Sequence, residues 1–295
     1  MSTLTPLESL FDVQRGSDLP LPPELAAIYG QLQFPMQPGR PYVFANFVTS
    51  LDGVVSLEAP GRAGGGDISG NNKHDHMVMG ILRAIADAII VGAGTLRKSP
   101  RHVWTAEHID PPFSTFYQQL RQNMGRTTPP LNVIVTLEGN INLNQPLFQS
   151  GKVPVLLITT MQGEQRLRQQ TIPPSTEIVA LEQNEEGLLS AQAILEVVQR
   201  IHPGNLILSE GGPQLLASFF TDRCVDELFL TLAPQVAGRD DTIDRPGLVA
   251  GKLFAPDFPL WGSLVSVKRE TNHLFLRYAF DTTGDRFNPS IEALL

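Results

Sequence analysis

Two short apolar runs, Ala88-Ile-Ile-Val91 and Asn205-Leu-Ile-Leu-Ser209, end directly in glycine turns, Gly92-Ala-Gly-Thr95 and Glu210-Gly-Gly-Pro213. Apolar runs of this length, without polar alternation, are strands covered on both faces. Two covered faces need helices on two sides, and helical spacing recurs between the runs. The stretch Asn72–Ala86 places Met77, Ile81, Leu82 and Ile85 on one side. The stretch Leu188–Ile201 does the same with Ala191, Ile194, Leu195, Val198 and Ile201. Other apolar runs occupy 42–49, 131–136, 153–159 and 177–181. The alternation predicts an α/β fold with a mainly parallel central sheet and helices on both faces. The late runs Val225–Pro234, Ser263–Arg269 and His273–Phe280 have no helix between them. They predict antiparallel strands at the C-terminal edge.

Residues 1–39 read as an N-terminal arm packed on the domain, with one helix expected over Pro23–Gln33. The main domain is expected over 40–281 and a tail over 282–295. Glycines make 58–70 a flexible segment by expectation. Prolines 100, 111, 112, 129 and 130 confine any helix in the long 97–130 connection to Phe113–Met124. The formal charge of −8 argues against a general nucleic-acid surface. The single cysteine, Cys224, excludes an internal disulfide and any zinc site built on cysteine pairs. His74 and His76 stand two apart, a poor helical spacing for metal ligands, so no metal site is expected. No basic-then-apolar N-terminal segment is evident, and no apolar run is long enough for a membrane helix. A cytoplasmic enzyme is the expectation.

Parallel sheets bind ligands beyond the carboxyl ends of their strands. Three unusual segments fall there: Ser50–Gly53, Gly92–Thr95 and Glu210–Gln214. The Gly92-Ala-Gly-Thr95 turn suits either a nucleotide or a plain tight turn. Gly211 and Gly212 precede Pro213 at the expected first turn of a helix, where free N–H groups suit a pyrophosphate. Glu210 is a carboxylate in the cleft or a partner of that helix dipole. Asp52 is a cleft carboxylate or a turn residue. Asn46, Ser50 and Asp52 share a face if their strand stays regular, and three buried polar side chains need partners. Arg83 is a ligand cation or a helix C-terminal charge. Arg97, Lys98, Arg101 and His102 form a basic cluster whose Arg and Lys side chains suit a phosphate or face solvent.

The set of segments resembles the riboflavin-biosynthesis pyrimidine reductase family, like the C-terminal reductase domain of the bifunctional deaminase–reductase. The resemblance begins at Arg40-Pro-Tyr-Val-Phe-Ala-Asn-Phe-Val-Thr-Ser-Leu-Asp-Gly53. It continues through Leu82–Thr95 and Glu210–Leu216 and closes at Val225–Leu228 and Leu232–Gly238. It implies a dihydrofolate reductase-like fold, NADPH as hydride donor and a homodimer. It also implies a ribosylaminopyrimidine 5′-phosphate substrate, reduced to the ribitylamino form. By this resemblance Val48, Gly92, Gly94, Thr95, Gly211, Gly212, Pro213, Gln214 and Leu215 hold the cofactor. Asn46, Ser50, Asp52, Arg83 and Glu210 face the substrate, with Asp52 or Glu210 assisting proton transfer; apart from the resemblance, Arg101 is read as a phosphate-binding arginine. The chain is expected to be of the stand-alone branch. It departs from the family pattern at Asp67-Ile68-Ser69, where the family often has Trp-Ile-Ser/Thr. It departs again at Arg97-Lys98-Ser99-Pro100, where Ala-Asp-Asp-Pro is frequent. The alternatives are reduction of another pterin or pyrimidine on the same fold, or a nucleotide-binding regulatory protein without turnover.

Overall fold

The computed structural model describes residues 4–35, 39–58, 65–240 and 242–282. The expected tail beyond 282, and 59–64 of the glycine-rich segment, lie outside them. Ten strands form one sheet. In chain order they are β1 (Glu8–Asp12), β2 (Tyr42–Thr49), β3 (Ala88–Gly92), β4 (Leu131–Val135) and β5 (Val155–Thr159), followed by β6 (Thr176–Ala180), β7 (Leu206–Ser209), β8 (Glu227–Leu232), β9 (Gly262–Glu270) and β10 (His273–Phe280). The spatial order is β1-β9-β10-β8-β2-β7-β3-β4-β5-β6. From β8 to β6 every pairing is parallel; β10, β9 and β1 add antiparallel at the other edge. The architecture is therefore mixed α/β, mostly parallel, with its antiparallel strands at one edge.

Side chains alternate along these strands, so the sheet has two apolar faces. Phe44, Ile89, Val91 and Leu208 pack with Met77, Ile81 and Ile85 of helix α3 (Lys73–Ile85), which follows α1 (Pro23–Tyr29) and α2 (Gly65–Ser69). Val43, Ala45, Ile90 and Ile207 pack on the other face. Their partners there include Ile194 and Val198 of one helix (Ala191–Ile201) and Leu216 and Phe219 of another (Pro213–Thr221). Asn72 caps α3, accepting from the His74 and Asp75 N–H groups at 2.9 and 3.0 Å. Ser190 caps Ala191–Ile201, so that helix starts later than the apolar spacing suggested.

Three local expectations change. The first helix spans Pro23–Tyr29 and stops at Gly30, whose φ of 86° leaves the helical region. The Gly92 turn is not an open loop: it starts a short helix, Ala93–Lys98. Gly65–Ser69 of the glycine-rich segment is helical. The arm also holds a strand that sequence reading missed, because β1 is exposed along its whole length and carries no buried stripe. It pairs antiparallel with β9, from Glu8 opposite Arg269 to Asp12 opposite Ser266. Leu7, Leu25, Ile28, Tyr29, Leu32 and Phe34 join the same core as α3.

Candidate active site

Two groups of residues meet at the carboxyl edge of the sheet. The first lines a cleft of about 900 Å³ beyond β3, β4 and β7. Gly92, Gly94 and Thr95 form one wall, and Gly212, Pro213, Gln214 and Leu215 form another. A Cβ on Gly92 or Gly94 would meet no atom within 4 Å, so both glycines face open space. A Cβ on Gly212 would lie 3.6 Å from Thr95 Oγ1, which brings the two glycine turns together. Gly212 precedes the helix Pro213–Thr221, whose proline stands in the first turn. The remaining N–H groups of that turn favour an anion. An open glycine cradle beside a helix N-terminus fits a phosphate-bearing dinucleotide in extended form.

Two expected cofactor residues stand elsewhere. A Cβ on Gly211 would lie 2.6 Å from Leu215 Cδ2, so that glycine serves close packing rather than the cleft wall. Val48 sits beneath the start of Gly65–Ser69, where a Cβ on Gly65 would approach its Cγ1 to 2.7 Å. Sequence reading missed the far walls, Val135-Thr136-Leu137 and Leu188-Leu189, because nothing in their composition marks them. Arg97 and Lys98 line the mouth, and Lys98 is paired with Glu58. Arg101, expected at a substrate phosphate, is exposed and does not line this cleft.

The second group is polar and lies on the α3 face. Ser209 pairs with both Ala45 and Ile90, so the next residues along, Asn46, Glu210 and Val91, stand side by side. The Glu210 N–H donates to the Ile90 carbonyl at 3.0 Å. Asn46 and Glu210 alternate with Ala45 and Ser209 and so point the same way as Phe44 and Leu208, toward α3. There the Arg83 guanidinium meets Glu210: Nε donates at 3.0 and 3.1 Å, and Nη2 at 2.7 Å. The side chains are 2% and 7% exposed, so this is a buried pair. Arg83 Nη1 lies 2.9 Å from His102 Nε2 and 3.3 Å from the Thr105 carbonyl. Asn46 is only 9% exposed, and its amide makes no hydrogen bond among the described residues.

Ser50 and Asp52 do not continue the strand face as regular spacing would have them. β2 ends at Thr49, and Gly53, at φ 80°, closes a tight turn. The Ser50 hydroxyl donates to Asp52 Oδ1 at 2.6 Å and accepts from the Val54 N–H at 2.9 Å. Asp52 also accepts from the Ala237 and Gly238 N–H groups at 3.0 and 2.8 Å. Arg239 Nη1 donates to the Asp52 carbonyl at 2.7 Å. The Ser50 hydroxyl, then the Ala237 and Gly238 amides, hold the Asp52 carboxyl far below the ordinary carboxylate range. A carboxyl so stabilised in its charged form is a poor proton donor at neutral pH. Asp52 instead clamps the segment after β8 to the turn after β2.

A 2,5-diamino-6-ribosylamino-4(3H)-pyrimidinone 5′-phosphate reductase of Archaeoglobus fulgidus is 27% identical over 216 residues, 73% of this chain and 89% of that protein. The riboflavin biosynthesis protein RibD of Aquifex aeolicus is 23% identical over 71% of this chain and 51% of its own length. A solved pyrimidine reductase-like protein of Corynebacterium diphtheriae shares the fold, with a TM-score of 0.63 and 23% identity over 82% of this chain and 92% of that one. The RibD C-terminal domain model matches residues 41–256, which include both glycine turns, Asn46, Asp52, Arg83 and Glu210, and the chain belongs to that family.

Proposed function

We propose that this chain is an NADPH-dependent reductase of a ribosylaminopyrimidine 5′-phosphate, of the riboflavin-biosynthesis type. One observation carries the reading: the open glycine cradle and the buried Asn46–Glu210–Arg83 group share one edge of the sheet, one strand apart. Bound in the cleft, NADPH would supply the hydride for the sugar C1′, with a proton from solvent balancing the reduction. Gly92, Gly94 and Thr95 hold it on one side and Gly212 to Leu215 on the other.

The chain's own residues orient the sugar. Asn46 offers an amide free to donate and accept. Glu210, held on the far side by Arg83, accepts hydrogen bonds from sugar hydroxyls. Ser50 and Asp52 act one step back, by fixing the turn and the segment at 237–238 that border this space. Preorganised acceptors of this kind lower the barrier by positioning the reacting atoms. Homodimerisation belongs to the same reading; exposed Phe258, Trp261 and Leu264 offer an apolar surface for it.

The test is NADPH oxidation by the purified protein, offered the 2,5-diamino compound and its deaminated counterpart in parallel. Turnover of either supports the reading. NADPH binding without turnover of either compound overturns it. Glu210→Gln is expected to slow turnover far more than it weakens NADPH binding.

A further inference from the structure

His102 lies two residues past Arg97–Pro100, where the chain departs from its family's frequent pattern, and no role follows for it from the resemblance. Its Nε2 stands 2.9 Å from Arg83 Nη1. A guanidinium has five N–H donors and no acceptor. The contact is a hydrogen bond only if His102 Nε2 carries a lone pair. The ring proton is then on Nδ1.

We propose that His102 is a positioning residue, whose Nδ1-protonated ring fixes the Arg83 guanidinium against Glu210. Arg83 is gripped from two sides. Glu210 takes Nε and Nη2, while His102 and the Thr105 carbonyl take Nη1. With both sides occupied, the guanidinium has one orientation, and so does the carboxylate it holds.

The ring is itself held in place. Its centroid lies 5.0 Å from that of Trp104 and 4.4 Å from that of His108, both edge-on. Trp104 is fastened to β4: its N–H donates to Asn132 Oδ1 at 3.0 Å, and its carbonyl accepts from Asn132 Nδ2 at 3.1 Å. Asn132 is fully buried, so it is a rigid anchor. The chain of contacts runs from β4 through Asn132, Trp104, His102 and Arg83 to Glu210. The charged and titratable groups facing His102 are Arg83 from α3, Glu210 beyond it at the end of β7, and His108 from the turn Ala106–Ile109. Burial, then the Arg83 charge, then His108 push His102 down to about 2, which keeps it neutral. A protonated ring would set two cations in contact.

This inference rests on the proposed role of Glu210, so its test has an arm that needs no substrate. In the full chain with ¹⁵N-labelled histidines, His102 is expected to show a protonated Nδ1 and an acceptor Nε2. That state should hold from about pH 5 to about pH 9. The opposite tautomer, or titration of His102 within that range, overturns the proposal. In the kinetic arm His102→Gln keeps an acceptor and His102→Leu does not. His102→Leu should lose about tenfold or more in kcat, with the Kd for NADPH within about twofold, and His102→Gln should recover most of the loss. Equal losses in the two variants, or none in His102→Leu, overturn it. Should the wild type reduce neither pyrimidine, the substrate reading falls, and the labelled-histidine arm decides the place of His102.

Discussion

Arg83 Nη2 donates to Glu210 Oε2 at 2.7 Å, across 127 positions of sequence, and joins the last turn of α3 to the end of β7. The bond is one tooth of a fork: Arg83 Nε reaches both carboxylate oxygens. Both side chains are nearly out of solvent, so each charge depends on the other. The backbone of Glu210 belongs to the strand end, and of the two glycines after it the second, Gly212, lines the cleft. The pair therefore ties the polar site to the cleft wall.

Arg83→Met removes the partner of a buried carboxylate. Losing one member of such a pair costs about 3–5 kcal/mol. The urea midpoint should fall accordingly. Arg83→Lys keeps the charge but cannot make the planar fork. It should recover part of the stability and little of the turnover. Full turnover in Arg83→Lys would mean that charge alone, not geometry, matters at Glu210.

Much of this was legible in the chain because continuous apolar runs, helical spacing and glycine placement are local signals. Ala88–Val91 and its glycines announced a covered strand ending in a turn that suited a nucleotide or plain tight turning, and Gly92, Gly94 and Thr95 line the cleft. The partners of the polar residues were not legible. Nothing local to Asp52 says that the N–H groups of Ala237 and Gly238 lie against it. His102 read as one charge of a basic cluster, whereas it meets Arg83 and is kept neutral by burial. The strand Glu8–Asp12 was invisible for another reason: an exposed edge strand needs no apolar pattern.

Gly94→Val should separate folding from cofactor binding. A Cβ at Gly94 meets no atom within 4 Å, and the position lies inside a helix that accepts side chains. The melting temperature should change little, as for an exposed substitution. The Kd for NADPH should rise about tenfold or more, since about 1.4 kcal/mol of lost contact has that effect. Gly163→Ala is the contrast: its Cβ would fall 1.9 Å from Thr159 Oγ1 and 2.7 Å from the Leu137 carbonyl. It should cost about 1–3 kcal/mol of stability from overpacking. Unchanged NADPH binding in Gly94→Val would remove the glycine cradle from the site.

Removing residues 1–14 tests whether the arm is an accessory. The truncation deletes β1 and Leu7, and it strips Asp12 from Lys268, whose side chain is 4% exposed. A buried ammonium without its carboxylate is costly, by about 3–5 kcal/mol for a lost partner. The truncated chain should unfold at distinctly lower urea. A midpoint equal to that of the full chain would show that Lys268 finds other partners or deprotonates.

Asp52 gives the pH prediction, and its sign follows from its depressed value. The Ser50 hydroxyl and the Ala237 and Gly238 amides favour the charged carboxylate of the folded chain over that of the unfolded one, where 3.8 is ordinary. The stabilisation is therefore complete above that value and is lost as pH falls toward the folded value. Between neutrality and mildly acid pH it contributes a constant amount. Asp52→Asn keeps one acceptor oxygen but turns an NH₂ group toward a backbone N–H, so the tie to 237–238 loosens at every pH. Urea titrations from neutral to acid pH should show a shallower acid decline for the variant than for the wild type. In kinetics the variant should raise KM for the pyrimidine and leave the Kd for NADPH unchanged, since Asp52 does not line the cleft. A lost limb in the kcat profile near neutral pH, with KM intact, would instead return Asp52 to the role of proton donor. That outcome requires its carboxyl to hold a proton near pH 7, against three hydrogen bonds that favour the anion.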